Sequence, residues 1–286
     1  MTRFVLLLLW LIHPLPLPWL RKIGAALGVI FYALARERRR VTHTNLRLCL
    51  PQLDAAARAH HVRAVFRVFG QSLVDRAWLW HAPPARIRAL VQLTGEALQK
   101  QLSGRPVIFL APHFAGLDAA WARLTLDTRM VSIYSRQKNA AFNSALIKGR
   151  SRFNHPVLLS RQQGVRAALR ELSSGLPLYY LPDMDFGPRD SVFAPFFGVP
   201  AATVTAVSRL ARISGAQVLP VVTKMTPQGY EVTIRPPWEN YPGASDQDDA
   251  TRMNAFIENE ARANLDQYHW LHKRFKTRPP GEARFY

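Results

Sequence analysis

The chain of 286 residues has one cysteine, Cys49, and only 19 acidic residues against 38 Lys and Arg. A single cysteine excludes an intrachain disulfide and leaves no signature of an oxidising compartment. Such a lone thiol is expected to be buried and inert rather than a nucleophile. The acid deficit gives a formal charge of +19 and a pI near 11.1. That balance calls for an anionic partner: nucleic acid, an anionic membrane or an acidic substrate. Zinc-finger spacing, an RRM-like aromatic motif and a basic zipper are all missing, and the basic residues are spread along the chain, so nucleic acid is not expected. No G-x-S-x-G elbow occurs, which removes support for a serine acyl-enzyme of that type. Repeats and low-complexity linkers are also missing. What is present is 48% hydrophobic content, enough for one substantial core.

No apolar run reaches the roughly 20 residues of a spanning helix. Residues Phe4 to Ile12 are unbroken apolar, and Ile23 to Ala35 form a second run. Between them stand His13, Pro14, Pro16, Pro18, Trp19, Leu20, Arg21 and Lys22. The block Arg36, Arg38, Arg39, Arg40 closes the segment. The rival reading, a signal peptide, lacks a small-x-small cleavage site. The pattern favours an anchor over residues 1–40 that lies in or dips into the bilayer, with Trp10 and Trp19 at the interface. If it spans, the arginine block faces the cytoplasm. The alternative is that residues 23–35 form an ordinary core helix.

Residues 41–286 read as one α/β domain. Over 54–80, Val62, Val65, Phe66, Phe69 and Leu73 recur at helical spacing, with Arg58, Arg63 and Arg67 off the stripe, as expected for core packing. After Pro83-Pro84 the spacing predicts strands at 107–110, 130–134, 178–181, 218–223 and 230–234. Helices are expected at 116–125, 164–172, 203–213 and roughly 248–268, two of them stopped by Gly175 and Gly215. This alternation predicts a central mixed, partly parallel sheet flanked by helices, behind an N-terminal membrane-associated helical segment.

The stretch Pro106-Val-Ile-Phe-Leu-Ala-Pro-His113-Phe-Ala-Gly-Leu-Asp118 carries the chemistry. A histidine follows an apolar strand, at the carboxyl end where ligand sites of α/β sheets gather. On one helix, positions i and i+5 point about 140° apart. His113 must therefore lie in the loop and Asp118 in the first helical turn, with Gly116 permitting the entry. Asp118 is then expected to hold one imidazole nitrogen, leaving the other as a general base. The nucleophile would be the hydroxyl of a substrate. Histidine and aspartate at this spacing also occur by chance in many proteins.

Three further segments raise the specificity. The first is Tyr134-Ser-Arg136-Gln-Lys138-Asn139 with Gly149-Arg150-Ser-Arg152-Phe153. The second runs Pro182-Asp183-Met-Asp185-Phe-Gly187-Pro188-Arg189-Asp190-Ser191-Val-Phe-Ala-Pro195-Phe-Phe-Gly198-Val-Pro200-Ala-Ala-Thr203. The third is Arg274-Phe-Lys276-Thr-Arg278-Pro-Pro-Gly281. With His113 and Asp118, from about Arg39 through Asn45 to the end, the chain resembles the late acyltransferases of lipid A biosynthesis. This lauroyl/myristoyl transferase family is a branch of the H-x4-D/E lysophospholipid acyltransferase superfamily.

The resemblance implies a glycerolipid acyltransferase-like fold. It also implies fatty acyl transfer from acyl carrier protein, a co-substrate rather than a cofactor. The acceptor is the hydroxyl of a 3-hydroxyacyl chain on a phosphorylated disaccharide lipid, at the cytoplasmic face of the bacterial inner membrane. His113 and Asp118 take the catalytic places. Arg150 falls where the family has a functional arginine, and either Asp183 or Asp185 where it has a functional aspartate. Arg189 and Lys138 join these as candidate substrate-binding residues. The family often has Glu at the positions of Asp118 and near Asp75. A surface charge is the competing reading for each arginine, and a turn residue for each aspartate. No catalytic metal is required. His269 and His272 are three apart, but without a third ligand a packed helix end is the better reading. His60 and His61 are expected at the surface. Other readings are a different glycolipid or lysophospholipid acceptor, an inactive lipid-binding membrane protein, and a hydrolase in which His113 activates water.

Overall fold

The computed structural model describes residues 2–95, 102 and 104–286. Helices α1 (Thr2–Ile12), α2 (Leu17–Leu34), α3 (Arg36–Cys49), α4 (Ala55–His81) and α5 (Pro84–Leu90) come first. The prolines fall in the α1–α2 turn and at the start of α2, where a missing N–H costs no helical hydrogen bond. The basic block, expected to close an N-terminal anchor, opens α3, whose Asn45 is buried and donates to the carbonyls of Trp270 and His272. Asp54 caps α4 by accepting from the amide of Ala57.

Strand β1 (Val91–Gly95) precedes the alternating part: β2 (Val107–Leu110), α6 (Leu117–Thr125), β3 (Val131–Tyr134), α7 (Ala140–Arg150), β4 (Val157–Ser160), α8 (Gly164–Ser173) and β5 (Leu178–Tyr180). A hairpin, β6 (Ser191–Phe196) and β7 (Val199–Val204), leads to α9 (Ala206–Ser214), β8 (Gln217–Thr226), β9 (Gly229–Ile234) and α10 (Asp246–Ala263). The main sheet has the order β1-β9-β8-β2-β5-β3-β4 and is parallel except between β8 and β9. The expected mixed, partly parallel sheet is present.

Helices cover both faces, so β2 is apolar at every position. Ile108 and Leu110 pack with α3, the first half of α4, α8, α9 and α10. Val107 and Phe109 pack with α2, the second half of α4, α5 and α6. Helix 203–213 starts later than expected because Thr203 and Val204 complete β7. Helix 248–268 ends at Ala263, so His269 and His272 lie beyond it in the C-terminal segment, not on a helix.

Helices α2 and α4 touch backbone to backbone. A Cβ on Gly70 would lie 2.3 Å from the carbonyl oxygen of Gly24 and 2.6 Å from the amide nitrogen of Gly28. Small residues on both helices permit this approach. One face of α2 is therefore core, while Trp19, Leu27, Val29, Ile30 and Leu34 on its remaining surface are exposed. By length and composition α2 is long and apolar enough to cross a membrane.

Candidate active site

Strands β2 and β5 are parallel neighbours, and the loops after them meet above their carboxyl ends. The amide of Ala111 extends the ladder to the carbonyl of Tyr180 at 2.9 Å. His113 follows on one loop and Asp183 on the other. Nδ1 of His113 lies 2.7 Å from Oδ1 of Asp183, and the His113 amide donates to both carboxylate oxygens at 3.0 and 3.2 Å. The His113 carbonyl accepts from the amide of His269 at 3.0 Å. The loop is thus fixed from both sides. Among the described residues, Nε2 of His113 has no hydrogen-bond partner, and the ring lines the main cavity.

The expectation that Asp118 orients His113 is corrected here: Asp183 does so. The cause is strand order. Asp183 is 70 positions away in sequence yet stands on the adjacent strand end. Burial alone would raise the Asp183 carboxyl. The charge of His113, its two kinds of hydrogen bond and the charge of Arg274 outweigh burial and hold it down to about 2. Asp183 is 3% exposed. An ionised Asp183 fixes a proton on Nδ1 and leaves the Nε2 lone pair facing the cavity.

Asp118 sits in the first turn of α6, as expected, and binds two arginines. Arg150, at the end of α7, reaches Oδ1 through Nε at 2.8 Å and Nη2 at 2.6 Å. Arg76, on α4, reaches Oδ2 through Nε at 3.2 Å and Nη2 at 3.0 Å. Burial pushes the Asp118 carboxyl up, but the two guanidiniums prevail and hold it below its ordinary value. Gly116 does not serve by a left-handed turn: its φ is −90°. It serves by contact, since a Cβ there would lie 2.3 Å from Cγ2 of Thr223.

The cavity measures about 520 Å³. His113, Asp118, Arg76 and Arg150 form its polar wall, while Leu117, Ile133, Phe142, Leu146 and Met184 contribute apolar surface. Phe69, expected as plain core, lines the cavity, and its ring centroid lies 5.9 Å from that of His269. Burial first, then the charge of His113, lowers His269 to about 4, so it is neutral near pH 7. Arg76 and His269 are the site residues that sequence reasoning missed. Arg76 directly follows Asp75, a residue the sequence marks only by its place in the family pattern. Asp75 itself is fully buried and structural. Trp78 donates to it at 3.0 Å, Tyr230 at 2.6 Å, and Arg21 lies at 3.1 Å.

The two aspartates left open by the sequence now differ. Asp185 accepts from the amides of Gly187 and Thr277 and from the Thr277 hydroxyl, and its own amide donates to Nε2 of His272. It joins the 182–203 segment to the C-terminal segment and does not line the main cavity. Arg274, 2% exposed, donates to Ala202, Thr203 and Asn254 in the same junction. Arg189 stands at the cavity mouth with its side chain 96% exposed. Lys138 lines a separate groove rather than the cavity. His61 pairs with Asp266 at 2.7 Å, and burial pushes the Cys49 thiol up. Among the described residues no group of three or more His, Cys, Asp or Glu is placed to hold a metal.

A profile of bacterial lipid A biosynthesis acyltransferases matches residues 1–277. The chain belongs to the bacterial lipid A biosynthesis acyltransferase family. Membership makes it an acyltransferase by class. It is 33% identical to the lipid A biosynthesis palmitoleoyltransferase of Escherichia coli K12, covering all of this chain and 94% of that protein. It is 31% identical to the lauroyltransferase of the same organism, over 96% of this chain and 90% of that one. The myristoyltransferase is 32% identical over 92% of the chain and 83% of the relative. In this family member, the two acids near His113 thus have separate partners: one an imidazole, the other a pair of guanidiniums.

Proposed function

We propose that the protein transfers a fatty acyl chain from an acyl carrier protein thioester to the hydroxyl of a 3-hydroxyacyl chain on a phosphorylated lipid A precursor. The observation that carries this reading is a histidine whose Nδ1 is held by an ionised, buried Asp183 and whose Nε2 faces the cavity. In this scheme Nε2 takes the proton of the acceptor hydroxyl. The oxygen attacks the thioester carbon, and the tetrahedral intermediate expels the thiolate. The imidazolium returns the proton to the leaving sulfur, so no net proton is lost. Arg150 and Arg76, fixed by Asp118, supply positive charge for the developing oxyanion or an acceptor phosphate. Base catalysis of this kind is worth about 10² to 10⁴ in rate. The α1–α2 segment is proposed to seat the enzyme on the inner membrane from the cytoplasmic side, where thioester and acceptor are both accessible.

Detergent-purified protein is to be incubated with a panel of acyl carrier protein thioesters and a tetra-acylated lipid A precursor. A penta-acylated product that vanishes in His113→Ala supports the reading. Free fatty acid as the main product, independent of acceptor, replaces it with a hydrolase. No product from folded protein with any donor removes it.

A further inference from the structure

The turn after β3 and the outer part of α7 form a second concavity, of about 410 Å³, that the proposed reaction does not use. Arg136, Lys138 and Lys148 line it with Gln137, Asn143 and Ser144, and no carboxylate belongs to the lining. The three cations are exposed. Some surface arginines elsewhere are paired, Arg212 with Asp246 and Arg262 with Glu258, whereas Arg136, Lys138 and Lys148 gather on one hollow. Arg136, Lys138 and Lys148 have no ion-pair partner among the described residues. Three like charges converging on one hollow repel one another unless an anion joins them.

The position of the groove narrows the choice of anion. Gln137 lines both the groove and the main cavity, so the two adjoin at that side chain. On the other side, Lys148 stands on α7, the helix against which α1 packs. The His81 ring lies 5.7 Å from that of His13, the residue directly after α1. Helix α1 packs on α4 and α7, and it exposes Phe4, Leu7, Leu8, Trp10 and Leu11. Such a face belongs in the acyl boundary of a bilayer, with charged groups beside it at headgroup depth. The groove therefore lies between lipid and cavity. The Asn143 Oδ1 accepts from the amide of Gln137 at 2.9 Å, which leaves its NH₂ to donate outward.

We infer that this groove holds a phosphate of the acceptor lipid while the acyl chain to be modified reaches His113 past Gln137. The inference rests on the acceptor proposed above. A phosphomonoester offers charge and acceptor oxygens to two ammonium groups, one guanidinium fork and the neutral donors of Asn143 and Ser144. An acidic carrier protein arriving from water would meet Arg161 and Arg189, which line the main cavity rather than the groove.

The test is steady-state kinetics in detergent with the full chain and its Arg136→Gln/Lys138→Gln/Lys148→Gln variant. Two acceptors are used, the bis-phosphorylated 3-hydroxyacyl disaccharide lipid and its dephosphorylated counterpart. The expected result is a KM for the phosphorylated lipid raised by about tenfold or more. KM for the dephosphorylated lipid is expected to be alike in both proteins, and KM for the acyl donor unmoved. Lys148→Glu alone is expected to act in the same direction and serves if the triple variant does not fold. An equal loss with both acceptors overturns the inference. So does a change confined to the donor, which assigns the groove to the carrier protein. So does a change confined to binding of anionic phospholipid vesicles, which assigns it to bulk headgroups. Transfer by the wild-type chain to both lipids with no effect of the variant defeats the groove alone. No transfer to either lipid defeats the proposed function as well.

Discussion

At His113 the ring has two ends with different surroundings: a buried carboxylate on Nδ1 and the cavity on Nε2. Asp183→Asn keeps the shape but removes the charge that fixes the tautomer. We expect kcat to fall by about 10² or more, with KM for the acceptor changed far less, as product formation under saturating donor would reveal. Asp118 calls for a different outcome. Asp118→Glu retains a carboxylate for both arginines and is expected to keep most activity. Asp118→Asn leaves two guanidiniums uncompensated and is expected to lose it. Arg150→Lys should behave like the loss, because a lysine cannot make the paired Nε and Nη2 contacts. Equal activities of Asp118→Glu and Asp118→Asn would refute the clamp. The sequence singles out His113, Asp118 and Arg150, which the structure brings to one cavity wall, and keeps Asp183 as one of two choices. It did not reveal which acid faces the imidazole, since chain spacing favours the acid five residues on. Only the adjacency of β2 and β5 brings Asp183 closer.

Among the elements, α2 and α4 show how much depends on three glycines. Gly70→Leu has no space on the Gly24 and Gly28 backbone. Overpacking of this kind costs about 1–3 kcal/mol, so a lowered melting temperature and easier proteolysis between α2 and α3 are expected. An unchanged melting temperature would contradict the contact. The helix and strand periods were legible for the alternating core, because buried strands and stripes leave plain patterns. Helix α3 was not legible: its buried positions include Thr42, Thr44 and Asn45, so no apolar stripe marks it. The β6–β7 hairpin was hidden as well. Pro195 and Pro200 face each other in its register, and its turn places Phe197 at φ 52° and Gly198 at φ 75°. Prolines in a strand read as loop unless an edge position excuses them.

For the whole molecule, the +19 charge was the loudest signal in the sequence, yet its distribution is what acts. Cations line both the groove and the main cavity, so KM for anionic substrates should rise with salt as screening shortens to about 3 Å at 1 M. A KM indifferent to salt would argue against electrostatic capture. Acid stability follows from buried imidazoles. Burial lowers His269 to about 4 and His272 to about 3, against about 6.5 when unfolded. The unfolded chain therefore binds more protons between these values, and this contribution is whole above about pH 6.5 and lost as pH falls toward 4 and 3. Asp183 adds a second loss, from its unfolded value near 3.9 down to about 2. Denaturant midpoints between pH 7 and 4 should fall steadily, and a flat profile would refute the buried neutral histidines.

The central claim is that Asp183, not Asp118, holds His113. The most direct measurement is ¹⁵N-histidine NMR of the detergent-purified protein, with the His113 signals identified by their loss in His113→Ala. A proton on Nδ1 with a low-field, exchange-protected resonance is expected in the wild-type chain and in Asp118→Asn, and should disappear in Asp183→Asn. Its survival in Asp183→Asn with loss in Asp118→Asn would contradict the account.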